Sequence, residues 1–328
     1  MNQDIYPWHQ SQWQDIERRL ENGRLPHALL MSGPEGLGKF DFAAQLAARL
    51  LCHTGVTAEP CGTCRNCLLF QAGTHPDFRQ VTVEAEKSQI SIDQLRELSA
   101  YLSLTTEASS YKIAVIYPAE AMNHHAANSL LKTLEEPPAN SLLLLVSHQP
   151  GRLTATIRSR CQFLAFSRPS ADVARSWLQS RLDPSADAEL VLAMAGGMPL
   201  KALALAQQDA EIPEKRNNII NELIGIANED IDPVKSAARW LKLDPKTSLY
   251  YLYGWLTDMT RLSLCASPPY LANPDIKVTL AKLARKVGPA ELFRHLDNTR
   301  RAIAGLDTSL NVQLLLEDVL IPWRYGFN

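Results

Sequence analysis

The 328-residue sequence has little net charge and no long apolar runs. Lys and Arg number 33 against 35 Asp and Glu, which gives a formal net charge of −2. Proteins that hold nucleic acid by bulk electrostatics are usually basic, so we expect any DNA contact to be local or shared with partners. The longest apolar runs, such as Leu142 to Val146, have the length of a strand. They fall far short of the roughly 20 residues that a membrane-spanning helix needs, so we expect no membrane association.

The sequence also lacks a secretory signal pattern, internal repeats and low-complexity tracts. We therefore expect a cytoplasmic protein, in which cysteine is usually a thiol or a metal ligand rather than half of a disulfide. Hydrophobic residues make up 46% and charged residues 21% of the chain, which is ordinary for a globular protein. A chain of this length and composition predicts two or three domains with a substantial buried core.

A glycine-rich segment fits the G-x4-G-K pattern of a phosphate-binding loop, through Gly33, Gly36, Gly38 and Lys39. In that motif the glycines let backbone N–H groups point at an anion, and the lysine reaches the terminal phosphates. A working loop continues with Ser or Thr, whose hydroxyl binds Mg²⁺, but this chain has Phe40 at that position. The segment therefore predicts a nucleotide-binding scaffold that has lost a metal ligand.

The strand that should carry the acidic metal site lacks its acids. The best candidate strand is 112–117, and it is followed by Pro118 and Ala119 where acidic residues for metal and water are needed. The nearest acid, Glu120, is out of register. We expect no hydrolysis of ATP with Mg²⁺ by this chain alone and an empty loop. There are two alternatives to an empty loop that has lost its function. The loop could still bind nucleotide, or it could be kept only because the turn into the helix needs its glycines.

Four cysteines follow the loop with the spacing C-x8-C-x2-C-x2-C, namely Cys52, Cys61, Cys64 and Cys67. Four thiolates around one Zn²⁺ make a closed tetrahedral site, which is structural because no position is left for water. Gly62 tolerates the tight turn between two of the ligands. The alternatives are four free thiols or two disulfides. We expect structural zinc in a module at about 52–67.

Strand and helix patterns alternate through the first half of the chain. Strands are predicted at 27–32, 78–83, 112–117 and 142–147, with helices at 39–51, 91–102 and 128–134. This alternation predicts an α/β fold with a parallel sheet, helices on both faces and the phosphate loop at the carboxyl edge. After residue 166 the strand signal fades. Helical patterns then predict a small domain at 167–209 and a larger one at 210–328, suited to protein–protein contact or to a plain structural bundle.

Two further segments carry a family resemblance, namely Ala127 to Pro138 (ANSLLKTLEEPP) and Ile157 to Cys161 (IRSRC). Both resemble the clamp-loader branch of the AAA+ family. The degenerate loop and the missing acids make the chain similar to the delta-prime family of bacterial DNA polymerase III clamp-loader subunits, rather than to the ATP-hydrolysing gamma/tau subunits. The resemblance implies an AAA+ P-loop parallel-sheet domain with an inserted zinc module at 1–166, a small helical lid domain and an all-α collar domain that oligomerises.

The resemblance also implies a function. The chain would be a non-hydrolysing stator in a hetero-oligomer with gamma/tau and delta subunits, which loads the sliding clamp onto primer–template DNA in replication. It would be a component of the DNA polymerase III holoenzyme, a DNA-directed DNA polymerase and nucleotidyltransferase, although nothing suggests that this chain polymerises.

In this family the arginine of Ser159-Arg160-Cys161 is an arginine finger that reaches the ATP site of the adjacent subunit. A guanidinium suits that role because it is permanently charged and forks onto phosphate oxygens. The alternative for Arg160 is an ion pair with an acid of its own chain.

Two other functions compete with this interpretation. An active AAA+ ATPase of gamma/tau type predicts Mg²⁺-dependent hydrolysis by the purified chain. A zinc-containing nucleic-acid-binding module predicts salt-sensitive DNA affinity and basic residues interleaved with aromatic ones near the cysteines. Only Arg65 lies within the cysteine cluster, which disfavours the second function.

Overall fold

The computed structural model describes residues 5–54, 59–183, 187–208, 212–268, 271–306, 308 and 310–325. The chain forms two compact units, Met1–Val173 and Ala174–Asn328. The first holds the predicted α/β domain with the cysteine segment, and the second is helical. The finer division into three domains, at 1–166, 167–209 and 210–328, stays a prediction.

The first unit is built on a five-stranded parallel sheet. Its strands are β1 (Ala28–Ser32), β2 (Phe78–Val81), β3 (Lys112–Ile116), β4 (Ser141–Ser147) and β5 (Gln162–Ala165). Their spatial order is β2-β3-β4-β1-β5, and every neighbouring pair is parallel. The predicted α/β fold class is confirmed. The sequence predicts the first four strands but not β5, because β5 is an edge strand with one buried side chain, Leu164.

The central strands are mostly apolar because helices cover both faces of the sheet. In β3 every residue is buried, and in β4 all but the first are buried. The helices of this unit are α1 (Gln10–Glu21), α2 (Lys39–Leu51), α3 (Arg65–Gln71), α4 (Ile92–Leu102), α5 (His124–Glu135) and α6 (Ala155–Arg160). Because parallel strands share one carboxyl edge, the residues that follow β1, β3 and β4 meet at one place.

A buried ion pair fixes the opposite edge of β2 and β3. Lys112 Nζ lies 3.0 Å from Asp77 Oδ1, and both side chains are inaccessible to solvent. Burial opposes ionisation of Asp77, but the backbone N–H groups of Ala108 and Glu107, together with the Lys112 ammonium, outweigh it and lower the pKa of Asp77 to about 2. Asn66 of α3 donates to the Ala108 carbonyl at 2.9 Å. The cysteine segment is thereby tied to the sheet.

The second unit is helical throughout its described part. A further helix, α7 (Ala171–Gln179), crosses the boundary between the units, and it is followed by α8 (Ala188–Met194), α9 (Pro199–Gln208), α10 (Ile212–Ala227), α11 (Pro233–Leu243), α12 (Pro245–Leu264), α13 (Lys277–Val287), α14 (Pro289–Gly305) and α15 (Val312–Tyr325). Its core contains Trp240, Trp255 and Trp323, all fully buried, as the helical patterns predict. No helix among the described residues is both long enough and apolar enough to cross a membrane.

Candidate functional site

The phosphate loop joins the end of β1 to the start of α2, at the carboxyl edge of the sheet. Gly33 cannot be replaced by a larger residue, because a Cβ there would lie 2.1 Å from the Phe166 carbonyl oxygen. Gly38 precedes the first residue of α2 with a left-handed φ of 77°, which glycine adopts without strain. These two glycines are therefore required by the turn itself, whether or not a phosphate binds.

Lys39 of the loop is turned onto its own chain. Its Nζ donates to the carbonyl oxygens of Gly33 at 2.7 Å and Pro34 at 2.6 Å, and lies 2.8 Å from Nδ1 of His148. The side chain is almost fully buried. Burial lowers the pKa of Lys39 to about 8, with Glu120 and Glu35 opposing the shift. Burial and the Lys39 charge also lower the pKa of His148, which favours the neutral ring that can accept from the ammonium.

An aromatic ring takes the position of the hydroxyl ligand in the loop, and a second ring packs against it. Phe40 replaces the hydroxyl of the loop, and its ring lies 5.2 Å, centroid to centroid, from the ring of Tyr117. Tyr117 is the first residue after β3, and its hydroxyl lies 3.3 Å from His148 Nε2. Two aromatic rings and an imidazole thus lie together where the loop lacks its hydroxyl ligand.

Glu120 lies closer to the loop than its register in the sequence suggests. One carboxylate oxygen accepts from the backbone N–H of His148 at 2.9 Å. The other is buried and has no hydrogen-bond partner within the described chain. The negative charge of Glu120 partly offsets the lowering of the Lys39 pKa by burial, so the carboxylate is close enough to act on the ammonium. Glu120 therefore places a negative charge beside the lysine that would otherwise contact a phosphate.

The N-terminal segment closes over the loop from outside. The indole N–H of Trp8 donates to the Leu37 carbonyl oxygen at 2.9 Å, and His9 Nε2 lies 2.7 Å from the same oxygen. The Tyr6 hydroxyl donates to Asp41 in the first turn of α2 at 2.9 Å. Residues 6–9 therefore hold the loop in its present conformation.

The four predicted metal ligands come together at the junction of α2 and α3. Their sulfur atoms all lie within 4.8 Å of one another. Cys52 Sγ is 3.6 Å from Cys61 and 3.9 Å from Cys64, and Cys61 Sγ is 4.0 Å from Cys67. Tetrahedral zinc with bonds of about 2.3 Å separates its sulfur ligands by about 3.8 Å. All four are free cysteines, at separations far beyond the roughly 2.05 Å of a disulfide. The cluster could hold one metal ion.

The electrostatics of the cluster favour a cation. Backbone N–H groups of Thr63 and Cys64 lower the pKa of the Cys61 thiol to about 6. Burial, and then the contact with Cys52, raise the pKa of Cys67 to about 12. Four thiolates cannot be crowded together without a compensating positive charge, and a bound dication supplies it.

Arg160 is the last residue of α6, and its side chain is one-third exposed. Its Nη1 donates to the Thr156 carbonyl oxygen at 3.1 Å and to the Ser159 hydroxyl at 3.4 Å. Its Nη2 lies 2.5 Å from Glu135 Oε1. The next residue, Cys161, is buried against the core. The single chain thus shows the local ion pair that is the alternative for Arg160, and a role in a neighbouring subunit stays a prediction.

Sequence reasoning misses three residues of these sites: Tyr117, His148 and Glu135. A usable signal exists for the first two, because each directly follows a central strand at the edge that carries the loop. Glu135 lies inside the motif that carries the family resemblance, but its pairing with Arg160 is a tertiary contact. Ser147 is the last residue of β4. It is buried, and its hydroxyl accepts from the N–H of Gln149.

Family models described as DNA polymerase III delta subunit and its C-terminal part match residues 8–170 and 211–325. DNA polymerase III subunit delta' of Pseudomonas aeruginosa is 35% identical over 98% of this chain and 97% of its own length. The Escherichia coli subunit delta' is 31% identical over 96% and 94%. A gamma-subunit-related protein of Thermotoga maritima aligns in structure over 97% of this chain and all of its own, at 16% identity and a TM-score of 0.49. On its sequence relatives, the chain belongs to the delta-prime family of DNA polymerase III clamp-loader subunits.

Proposed function

We propose that this chain is a stator: a clamp-loader subunit that hydrolyses no ATP itself and supplies Arg160 to the ATP of an adjacent gamma/tau subunit. Its other partner in the loader is the delta subunit. Together they load the sliding clamp onto primer–template DNA in the cytoplasm, as part of the DNA polymerase III holoenzyme. The chain has no polymerising activity of its own.

The hydrogen bonds of Lys39 within its own chain support the proposal that this subunit hydrolyses no ATP. A lysine ammonium has three N–H donors, and Lys39 has three acceptors for them within its own chain. A nucleotide would have to break these contacts and enter beside the Glu120 carboxylate. It would then gain no metal ligand from Phe40. The loop therefore offers poor binding to nucleotide and no means of activating water.

The exposure of Arg160 supports the proposal that it acts on the ATP of an adjacent subunit. Lys39 is almost fully buried, whereas the Arg160 side chain is one-third exposed at the end of a helix. Its ion pair with Glu135 lies at the surface, and pairs of this kind are typically worth only about 0–1 kcal/mol. The pair therefore does not commit the guanidinium to its own chain, and a phosphate of a neighbouring subunit can bind it as well.

We further propose that the cysteine cluster binds structural Zn²⁺. The sulfur separations fit a tetrahedral ion, as described above, and no fifth ligand or general base accompanies them in the described part of the chain. The ion would join the end of α2 to α3, since Cys52 follows α2 and Cys67 lies in α3.

The purified chain should show no Mg²⁺-dependent ATP hydrolysis. In a phosphate-release assay we expect the wild type to match Lys39→Ala, because in both proteins the loop activates no water. Fluorescent ATP should likewise bind both proteins equally weakly. Mg²⁺-dependent turnover that Lys39→Ala abolishes would instead identify an active ATPase of gamma/tau type.

A further inference from the structure

We propose that Glu135 is a positioning residue for Arg160, one that holds the guanidinium ready for a phosphate of the neighbouring subunit. The inference rests on the role in trans proposed for Arg160. Glu135 is the last residue of α5 and Arg160 the last residue of α6. The 2.5 Å contact between Glu135 Oε1 and Arg160 Nη2 joins the ends of these two helices.

Both helix ends are held rigidly by the core beneath them. Leu134, next to Glu135, and Ile157, in the middle of α6, are buried in the same hydrophobic cluster. Thr154 caps α6 by accepting from the N–H of Ile157. A functional side chain is placed most reliably when it stands on a packed element and is held by a second side chain. Glu135 and Arg160 meet both conditions.

The contacts of Arg160 leave the Nε donor of its guanidinium available. Arginine has five N–H donors in a planar fork. Nη1 donates to Thr156 and Ser159, and Nη2 lies 2.5 Å from Glu135 Oε1. Nε makes no hydrogen bond to any residue that the structure describes. Guanidinium N–H groups of this kind bind phosphate oxygens. Glu135 therefore contacts Arg160 through Nη2, and the Nε donor stays available for a phosphate.

Glu135 is half-exposed, so its pair with Arg160 contributes little to folding. Its removal should instead let the arginine side chain move among rotamers. Reaction rates depend steeply on the placement of a group that touches the reacting atoms. Glu136, the next residue, is exposed and has no ion pair or hydrogen bond from its side chain within the described chain. It provides a control with the same charge and nearly the same place.

The test uses clamp loader reconstituted with gamma/tau and delta subunits, and with Glu135→Gln or Glu136→Gln in this chain. For Glu135→Gln we expect kcat for ATP hydrolysis in the presence of clamp and primed DNA to fall about threefold to tenfold, with KM for ATP unchanged. Glu136→Gln should match the wild type. Urea unfolding of both variants should match the wild type, which separates positioning from a structural role.

A double variant separates the role of Glu135 from the role in trans proposed for Arg160. If Glu135 acts through Arg160, then Glu135→Gln combined with Arg160→Ala should have the rate of Arg160→Ala alone. A slower double variant would mean that Glu135 acts elsewhere. If Arg160→Ala is slow while Glu135→Gln matches or exceeds the wild-type rate, only the role of Glu135 is overturned. If Arg160→Ala itself matches the wild type, the role in trans is wrong and this inference is lost with it.

Discussion

Replacing Arg160 with alanine in this subunit alone should slow hydrolysis at the adjacent gamma/tau site by about 10³-fold, the lower end of the range for arginine fingers. The reason is that the guanidinium would otherwise stabilise charge on the transferring phosphoryl group. The measurement is single-turnover ATP hydrolysis by reconstituted loader with clamp and primed DNA. Clamp loading should fall in parallel.

Two matched variants make this result specific. Arg160→Lys keeps the charge but loses the planar fork, so we expect it to recover only a small part of the rate. Arg152→Ala removes the same charge from an exposed position eight residues earlier in the sequence and should leave the rate unchanged. Wild-type hydrolysis and loading by the Arg160→Ala loader would show that Arg160 serves only its pair with Glu135.

Removing the metal from the cysteine cluster should destabilise the first unit strongly. We expect a strong chelator to lower the free energy of unfolding by at least about 3 kcal/mol and the melting temperature by about 10 °C, because four crowded thiols lose the cation that holds them and two helices lose their link. The measurements are metal content of native protein, with a ratio of one zinc per chain expected, and thermal unfolding with and without chelator.

Cysteine variants provide the control for this prediction. Cys64→Ser should reproduce the effect of the chelator, whereas Cys265→Ser, at an exposed cysteine outside the cluster, should change neither zinc content nor melting temperature. Native protein without zinc, or a melting temperature that the chelator does not move, would leave the cluster as four free thiols.

The parts of the fold that the sequence predicts are those with a local signal. The runs that form β3 and β4 are mostly apolar because each strand is buried on both faces, and the spacing of the cysteines predicts the cluster of four sulfurs. Strand β5 has no such signal. Its residues are mostly exposed at the sheet edge, and only pairing with β1 makes them a strand.

The contacts that decide the state of the site join residues far apart in the sequence. Lys39 and His148 are 109 positions apart, and no periodicity or motif relates them. The buried pair of Asp77 and Lys112 spans 35 positions. The loop motif predicts a lysine directed at phosphates, whereas the folded chain provides internal acceptors for it. Such pairings depend on how strands order themselves in the sheet, which local patterns do not encode.

The most direct test of the account is a structure of the assembled loader bound to a non-hydrolysable ATP analogue. We predict that the Arg160 guanidinium lies within hydrogen-bond distance of the terminal phosphate on the adjacent gamma/tau subunit, while Lys39 keeps its contacts with Gly33, Pro34 and His148. An analogue bound in the loop of this chain, or an Arg160 side chain remote from every phosphate, would contradict the account.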